Sequence, residues 1–267
     1  NIEPYFPPEK NDEIQDQILA GNISGDPGSI SASGPGYLAW LASLGFSTNP
    51  VDYPILDIVD DGVDSGDVSH VLHPDFYAQQ GGVPTYSRIQ FFNTCLADGS
   101  TNGTDGHGNL NAGIAAGFND QSGFPYKDTA GYSLGLGVSP YGRLASTKIF
   151  GATFDYSACD YSFTGIVRRA YAAGARITSN SWGAERHPYY DSGAQEYDQL
   201  TRDADPFTPG NQQMLHIFSA GNGGKYVSPS LPTLGTPGTA KNVLTVGAAD
   251  LPRDISTLDG CFHASTS

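Results

Sequence analysis

The stretch Gly106-His107-Gly108-Asn109-Leu110-Asn111-Ala112-Gly113 is one of three in this chain that share a pattern. Ile58-Val59-Asp60-Asp61-Gly62 precedes it, and Phe218-Ser219-Ala220-Gly221-Asn222 follows it. Each joins an apolar run typical of a strand to small residues, with one polar functional residue at the junction. Such junctions lie at the carboxyl edge of a parallel sheet, where open α/β folds build their sites. The order acid, base, amide therefore predicts a site on an α/β sheet.

Strand and helix patterns alternate along the rest of the chain. Strands are predicted at residues 54–59, 88–93, 143–150, 175–181, 215–220 and 242–246. Helices are predicted between them at residues 107–118, 162–173 and 195–203. Because the strands are apolar without alternation, the pattern favours a parallel sheet that is covered on both faces.

Residues 1–50 are predicted to form an N-terminal extension packed on a main domain of residues 51–267. Within the extension we expect a short polar helix at 9–20 and a buried helix at 37–44, whose apolar face packs onto the outer layer of the main sheet. The N-terminus has neither the basic start nor the apolar stretch of a signal peptide. If the protein is secreted, we expect its targeting segment to have been removed.

Composition excludes some classes of function. A formal net charge of −15 with only 13 Lys and Arg argues against nucleic-acid binding, which needs clustered basic residues. No apolar run approaches the ~18 residues of a membrane span. An acidic chain with 15 Tyr and 1 Met is typical of an extracellular enzyme, because high net charge favours solubility and Met oxidises.

The three stretches resemble the Asp, His and oxyanion-Asn blocks of the subtilisin-like serine proteases (subtilases, peptidase family S8), whose chain order Asp, His, Ser is distinctive. A fourth block, Thr178-Ser179-Asn180-Ser181-Trp182-Gly183, resembles the family's Ser-Leu-Gly substrate-binding strand, with Trp182 in place of Leu. The resemblance covers roughly residues 53–250. It implies a subtilisin-like three-layer α/β fold with a mostly parallel central sheet and helices on both faces.

The resemblance also implies roles for single residues. His107 would be the general base, and Asn222 would donate to the oxyanion. Asp60 rather than Asp61 would orient the base, because the family places its acid directly after the strand and two residues before a Gly. Asp61 then occupies the family's Ser/Thr position, and the sequence leaves open whether it is solvated, binds a cation or binds a substrate amine. Asn111 departs from the family, which often has a second His there.

A protein or peptide is the implied substrate. Ser181, Trp182 and Gly183 resemble one wall of the primary specificity pocket, and Ala220 and Gly221 resemble another. Exposed main chain on such a wall can pair with an extended peptide as an added strand. We expect Asp60 and His107 to lie within hydrogen-bond reach, with Asn222 bordering the same cleft.

The family's nucleophile block, Gly-Thr-Ser-x-Ala, is absent from the 267 residues. We therefore expect the chain to be the N-terminal portion of a catalytic domain, with its Ser in a C-terminal remainder that has been removed or is held as a second chain. The alternative is a catalytically inactive subtilase-fold module used for binding or scaffolding. A glycosidase-like pair of acids is a third interpretation, but no second acid is suitably placed.

Cys95, Cys159 and Cys261 are an odd number of cysteines. Cys95 and Cys159 are one candidate pair, since both follow predicted strands, and Cys261 would then need a partner elsewhere. Three unpaired thiols are an equal alternative.

No cofactor is expected in catalysis, and metal binding is open. Acid-rich loops at 57–67, 98–105 and 120–128 could supply the oxygen ligands of a structural Ca²⁺, although none has EF-hand spacing. His70 and His73 have a spacing found in zinc sites, but they lack further ligands and are predicted to lie in a surface loop.

Overall fold

The computed structural model describes residues 12–25, 30–184, 188–222 and 233–248. The helices are α1 Asp12–Ala20, α2 Tyr37–Ser43, α3 His107–Ala116, α4 Phe163–Ala172 and α5 Ser192–Arg202. The strands are β1 Ile23–Ser24, β2 Ser31–Ala32, β3 Ile55–Asp60, β4 Tyr77–Gln80, β5 Val83–Ser87, β6 Ile89–Thr94, β7 Arg143–Lys148, β8 Ala175–Asn180, β9 Leu215–Ser219 and β10 Leu244–Val246. Short 3₁₀ turns occur at Pro50–Asp52, Pro74–Phe76 and Ser157–Cys159.

Six strands form one sheet in the order β10-β9-β8-β3-β7-β6, and every neighbouring pair is parallel. The connections that leave the neighbouring strands β3 and β8 run in opposite directions across the sheet, from β3 toward β6 and from β8 toward β9. Parallel α/β sheets bind ligands at such a reversal, beyond the carboxyl ends of the strands. The α/β fold and its parallel sheet are confirmed, and the boundaries of the sheet strands and of α3, α4 and α5 differ from the predicted ones by at most three residues.

Helices cover both faces of the sheet. On one face, Ala112 and Ala116 of α3 pack against Ile58 and Leu144. On the other, α4 and α5 pack in a cluster around Ile55. Residues of β3 alternate between these two layers, so the strand that ends in Asp60 is buried from both sides.

The face that α3 covers is incomplete toward β9 and β10. There Leu215, Leu244 and Val246 are 40%, 51% and 50% exposed, and they lie on the same face because Leu244 is registered with Ile217. Among the described residues, no helix packs on this part of that face, and α5 contacts β9 from the opposite face. These three side chains therefore form an exposed apolar surface on that face.

Two hairpins were not predicted from the sequence: β1 with β2, and β4 with β5. The second turns at Gly81 and Gly82, whose φ angles of 60° and 77° suit glycine. Residues of β5 are exposed or half-buried throughout. Without a buried face, such a strand has no apolar periodicity from which to predict it.

The described residues before β3 make hydrogen bonds and apolar contacts with one another and with the segment that precedes β7. The carboxylate of Glu13 accepts the backbone N–H groups of Gly36 and Tyr37 at 2.6 and 2.7 Å, and the Tyr37 hydroxyl donates to Val138 O at 2.8 Å. Helix α2 packs with Leu136 in an apolar cluster of its own, and its packing on the outer layer of the sheet stays a prediction. Residues 9–11 of the predicted first helix lie outside the described residues, and the division at residue 50 stays a prediction.

A disulfide joins Cys95, just after β6, to Cys159, just before α4. This is the candidate pair from the sequence, and Cys261 lies outside the described residues. In the described ranges, no helix is both long and apolar enough to cross a membrane.

Candidate active site

Asp60 is the last residue of β3, and its side chain is almost fully buried. Its carboxylate accepts three hydrogen bonds. His107 Nδ1 lies 2.8 Å from Oδ1 and 2.9 Å from Oδ2, Asn111 Nδ2 donates to Oδ2 at 3.0 Å, and Asp61 N donates to Oδ1 at 2.8 Å. A buried carboxylate with its oxygens satisfied in this way has one fixed orientation.

His107 is the first residue of α3, at the carboxyl edge of the sheet. Gly106 precedes it with φ 92°, a left-handed conformation that lets the chain turn directly into the helix. The His107 side chain is 49% exposed. Because Asp60 engages Nδ1, Nε2 is the ring nitrogen left for exchanging a proton with another group.

Burial and the contact between the two side chains shift the pKa values of both. The hydrogen bond to Asp60 raises the pKa of His107 above its ordinary value, against the lowering effect of partial burial. Burial raises the pKa of Asp60, because desolvation outweighs the hydrogen bonds from His107 and from the Asp61 N–H. The arrangement favours an imidazole that takes up a proton beside its carboxylate partner.

Asn111 supplies a contact that the sequence did not predict. It lies four residues after His107, so both side chains lie on the same face of α3. Its Nδ2 reaches Asp60 Oδ2 and lies 3.3 Å from His107 Nδ1. The helical spacing was a usable signal, but the residue type departs from the family and gave no indication of this role.

Asp61 does not face solvent, as it is only 2% exposed. Its carboxylate accepts the backbone N–H groups of the loop leading into α3: Thr104, Asp105 and Gly106 at Oδ2, and Gly108 at Oδ1. Burial raises the pKa of Asp61, but the hydrogen bonds outweigh it and bring the pKa to about 2. Of the three alternatives left open by the sequence, the solvated carboxylate is wrong.

Glycines allow the loop after β3 to touch the loop before α3. A Cβ on Gly108 would lie 2.3 Å from Gly62 O, and one on Gly62 would lie 2.5 Å from Asn102 O. Side chains at these positions would push the loops apart. The two loops therefore pack backbone against backbone directly beside Asp60 and His107.

Trp182 follows β8 and lies in a cluster of aromatic rings. The nearest ring centroid, that of Phe218, is 5.3 Å away, and its Nε1 finds no hydrogen-bond partner among the described residues. The ring borders a pocket of about 380 Å³. The other lining residues are Phe150, Phe154, Phe163, Gly183, Ala184, Asp191, Ser192, Gly193, Thr236 and Pro237.

A family model described as the subtilase family matches residues 52–260. The chain belongs to the subtilase family. Among solved structures, it is similar to MycP1 with the N-terminal propeptide removed, at 20% identity and TM-score 0.48, over 80% of this chain and 62% of that one. It is also similar to the prenylagaramide maturation protease PagA, at 21% identity and TM-score 0.42, over 73% of this chain and 54% of PagA. The chain thus spans less than two thirds of either structure, and no curated protein matches it.

In this subtilase, the other predicted site residues are partly brought together. Trp182 and Gly183 line the pocket, whereas Ser181, Ala220 and Gly221 do not, although all lie beyond the carboxyl ends of the neighbouring strands β8 and β9. Asn222 is exposed just after β9. It makes no hydrogen bond with the described residues.

Carboxylates in the acid-rich loops of the subtilase bind their own backbone. Asp64 accepts the N–H groups of Ser65, Leu72 and His73, and Asp120 accepts those of Gly81 and Gly82. No group of three or more His, Cys, Asp or Glu in the described part of the chain could hold a metal ion. Structural calcium stays a prediction, without a site among these residues.

Proposed function

We propose that this subtilase is a serine endopeptidase that hydrolyses peptide bonds with Asp60, His107 and a serine outside the described residues. The observation that supports this most directly is the contact of His107 Nδ1 with both oxygens of buried Asp60. The pair lies beside the point where neighbouring strand connections run in opposite directions, which is where such folds bind ligands.

Each residue has a defined part in the proposed reaction. His107 takes the serine proton at Nε2 and later gives it to the leaving amine, while Asp60 fixes the imidazole tautomer and stabilises the charged ring. Asn222 donates to the oxyanion that forms on the attacked carbonyl. Its exposed position after β9 is compatible with a donor that meets its partner only when substrate is bound.

The aromatic pocket is the proposed site for an apolar side chain of a peptide substrate. Rings of Phe150, Phe154 and Trp182 form an apolar wall, and Gly183 leaves main chain exposed beside it. An extended peptide could pair with that main chain as an added strand. Ser181, Ala220 and Gly221 are proposed to border the same cleft at the scissile bond.

The open sheet face suggests where the missing part of the site belongs. We propose that a segment carrying the nucleophile covers Leu215, Leu244 and Val246, either in the same chain past Ser267 or as a second chain. Covering this surface would remove apolar area from water and complete the layer that α3 begins. Neither nucleic acid nor membrane is part of the proposal.

An extracellular location is proposed on chemical grounds. The Cys95–Cys159 disulfide suits an oxidising compartment, since structural disulfides persist outside the cytosol. The net charge of −15 is compatible with a soluble secreted enzyme.

A fluorophosphonate probe, which labels activated serines, tests the proposed function. In a form of the protein that extends past Ser267, we expect stoichiometric labelling and peptide cleavage, and loss of both in His107→Ala. His73→Ala is the matched control, because His73 is exposed and lies outside the site. Labelling that persists in His107→Ala would refute the proposal.

The same probe separates the enzyme from an inactive module. The chain ending at Ser267 is expected to stay unlabelled. If a serine among residues 249–267 is labelled, the nucleophile lies inside the chain. If the extended protein is folded but neither labelled nor active, the binding or scaffolding module is the better interpretation.

A further inference from the structure

The carboxylate of Asp61 holds the backbone on both sides of His107. Oδ2 accepts Asp105 N at 2.8 Å and Gly106 N at 3.2 Å, just before the histidine, and Oδ1 accepts Gly108 N at 2.6 Å, just after it. The N–H of His107 itself donates to Asp105 Oδ1 at 3.0 Å. The backbone that sets the direction of the imidazole is therefore fixed at each neighbouring residue.

Asp61 is also rigidly attached to the other member of the pair. It directly follows Asp60 at the end of β3, and its own N–H donates to Asp60 Oδ1 at 2.8 Å. One residue thus binds the Asp60 carboxylate through its backbone and, through its side chain, the backbone of the residues on either side of His107. Any shift of Asp61 would change the distance between the two.

Other carboxylates of this chain bind loop backbone without this connection. Asp64 accepts three N–H groups within its own loop, none of them in α3 or next to His107. Asp128 does the same for Ala130 and Tyr132. The number of hydrogen bonds does not distinguish Asp61, but its location between Asp60 and His107 does.

We propose that Asp61 is a positioning residue, whose side chain sets the approach of the His107 ring to Asp60 by binding the backbone on both sides of His107. With its oxygens committed to backbone N–H groups and its side chain buried, Asp61 does not bind a substrate amine. This inference rests on the proposed function, because it assigns Asp61 a part in the Asp60–His107 pair.

Nuclear magnetic resonance of the histidine ring tests the proposal without needing the nucleophile. In the 267-residue protein we expect a downfield Nδ1–H resonance for His107, held by Asp60. In Asp61→Asn, an NH₂ group replaces one oxygen and cannot accept hydrogen bonds from backbone N–H groups. In Asp61→Glu, the negative charge remains, but the extra methylene moves the carboxylate oxygens. Both variants should raise the solvent exchange rate of the Nδ1–H proton by about tenfold, the effect of losing roughly one hydrogen bond.

Matched variants separate the possible failures. Asp64→Asn makes the same chemical change in a neighbouring loop and should leave the resonance unchanged. Asp60→Asn should abolish it; if it does not, the Asp60–His107 pair and the proposed function both fail. A second outcome overturns only the positioning role. In it, Asp60→Asn abolishes the resonance, but the exchange rate of the Nδ1–H proton in both Asp61 variants equals that in Asp64→Asn.

Hydrogen exchange of the unmodified protein covers the case in which the Asp61 variants do not fold. The amides of Asp105, Gly106 and Gly108 should be protected as strongly as those inside α3, also in mildly acidic solution, because hydrogen bonds outweigh burial and hold the pKa of Asp61 below its usual range. Exchange at the rate of an open loop would overturn the proposal.

Discussion

The two halves of the candidate site are built by different means. Around Asp60 and His107, side chains and backbone are joined by at least eight hydrogen bonds, and glycines let the two loops touch. Around Trp182 and Asn222, the described residues offer aromatic packing, an open pocket and an exposed amide. The first half is defined by polar geometry and the second by shape.

This difference follows from what each half must do in the proposed reaction. Proton transfer depends on distances of tenths of an ångström, so the acid and base need hydrogen bonds that hold them before substrate arrives. The second half receives a peptide, and the open sheet face beside it leaves room for a further segment. Substitutions in the two halves should therefore affect different quantities.

The largest expected effect is at the carboxylate of the first half. In a form of the protein that extends past Ser267, Asp60→Asn should lower kcat by about 10⁴-fold, because an amide favours the wrong tautomer of the base. Steady-state hydrolysis of a peptide measures the loss. A decrease of less than tenfold would mean that the first half does not act as the acid–base pair.

Asn222→Ala should lower kcat by about 10²–10³-fold with little change in KM, the magnitude known for the corresponding donor in subtilisin. The reason is that the amide stabilises the transition state rather than the bound substrate. The same assay, with Asn242→Ala as a control near β10, separates kcat from KM. A rise in KM alone would instead give Asn222 a role in substrate binding.

Two alanine substitutions in α3 sharpen the description of the first half. Gly108→Ala would place a Cβ 2.3 Å from Gly62 O and 2.8 Å from Asp61 Oδ1, and it should destabilise the protein by about 2–3 kcal/mol. At Gly113, no atom lies within 4 Å of such a Cβ, so Gly113→Ala should stabilise by about 0.5–1 kcal/mol through helix propensity. Urea unfolding measures both. Equal effects would contradict the close packing of the loops.

A last comparison, of stability rather than activity, separates the site from the core beneath it. Asp57 lies on the opposite face of β3 from Asp60, and burial raises its pKa to about 7, against a lowering hydrogen bond from Thr147. As pH rises from about 4 to 7, the unfolded chain ionises Asp57 while the folded protein keeps it protonated, so stability falls.

Asp57→Asn removes this titration. Its unfolding free energy relative to the unmodified protein should rise by about 3 kcal/mol between pH 4 and pH 7, as measured by urea unfolding at each pH. The exposed Asp98→Asn is the control and should show no such trend. A flat difference for Asp57→Asn would mean that the carboxyl is ionised in the folded protein.

The fold was predictable because its strands and helices carry their own signals. Buried strands without alternation, separated by helical patterns, sufficed for the parallel sheet, and the resemblance of the blocks around Asp60 and His107 to those of subtilases indicated their contact. The β4–β5 hairpin was missed because it buries neither face. Asn111 and Asp61 were missed as contacts because loop conformation and hydrogen-bond partners have no periodicity in the sequence.

The pocket around Trp182 was only partly predictable for a related reason. Its aromatic wall is assembled from residues on separate elements, such as Phe150 after β7 and Phe163 in α4. In the sequence, each of these residues alone is typical of a hydrophobic core. Only the tertiary structure brings them to one side of Gly183.

The Cys95–Cys159 disulfide has a further consequence if the protein is the endopeptidase proposed above. It closes a covalent ring over a sequence separation of 64 residues, which contains His107, α3 and β7 but not Asp60. A single proteolytic nick anywhere within that ring opens the backbone yet releases no fragment, because both ends remain tethered. Self-digestion in this region would be visible only after reduction, and the segment with His107 would stay covalently joined to the segment with Asp60.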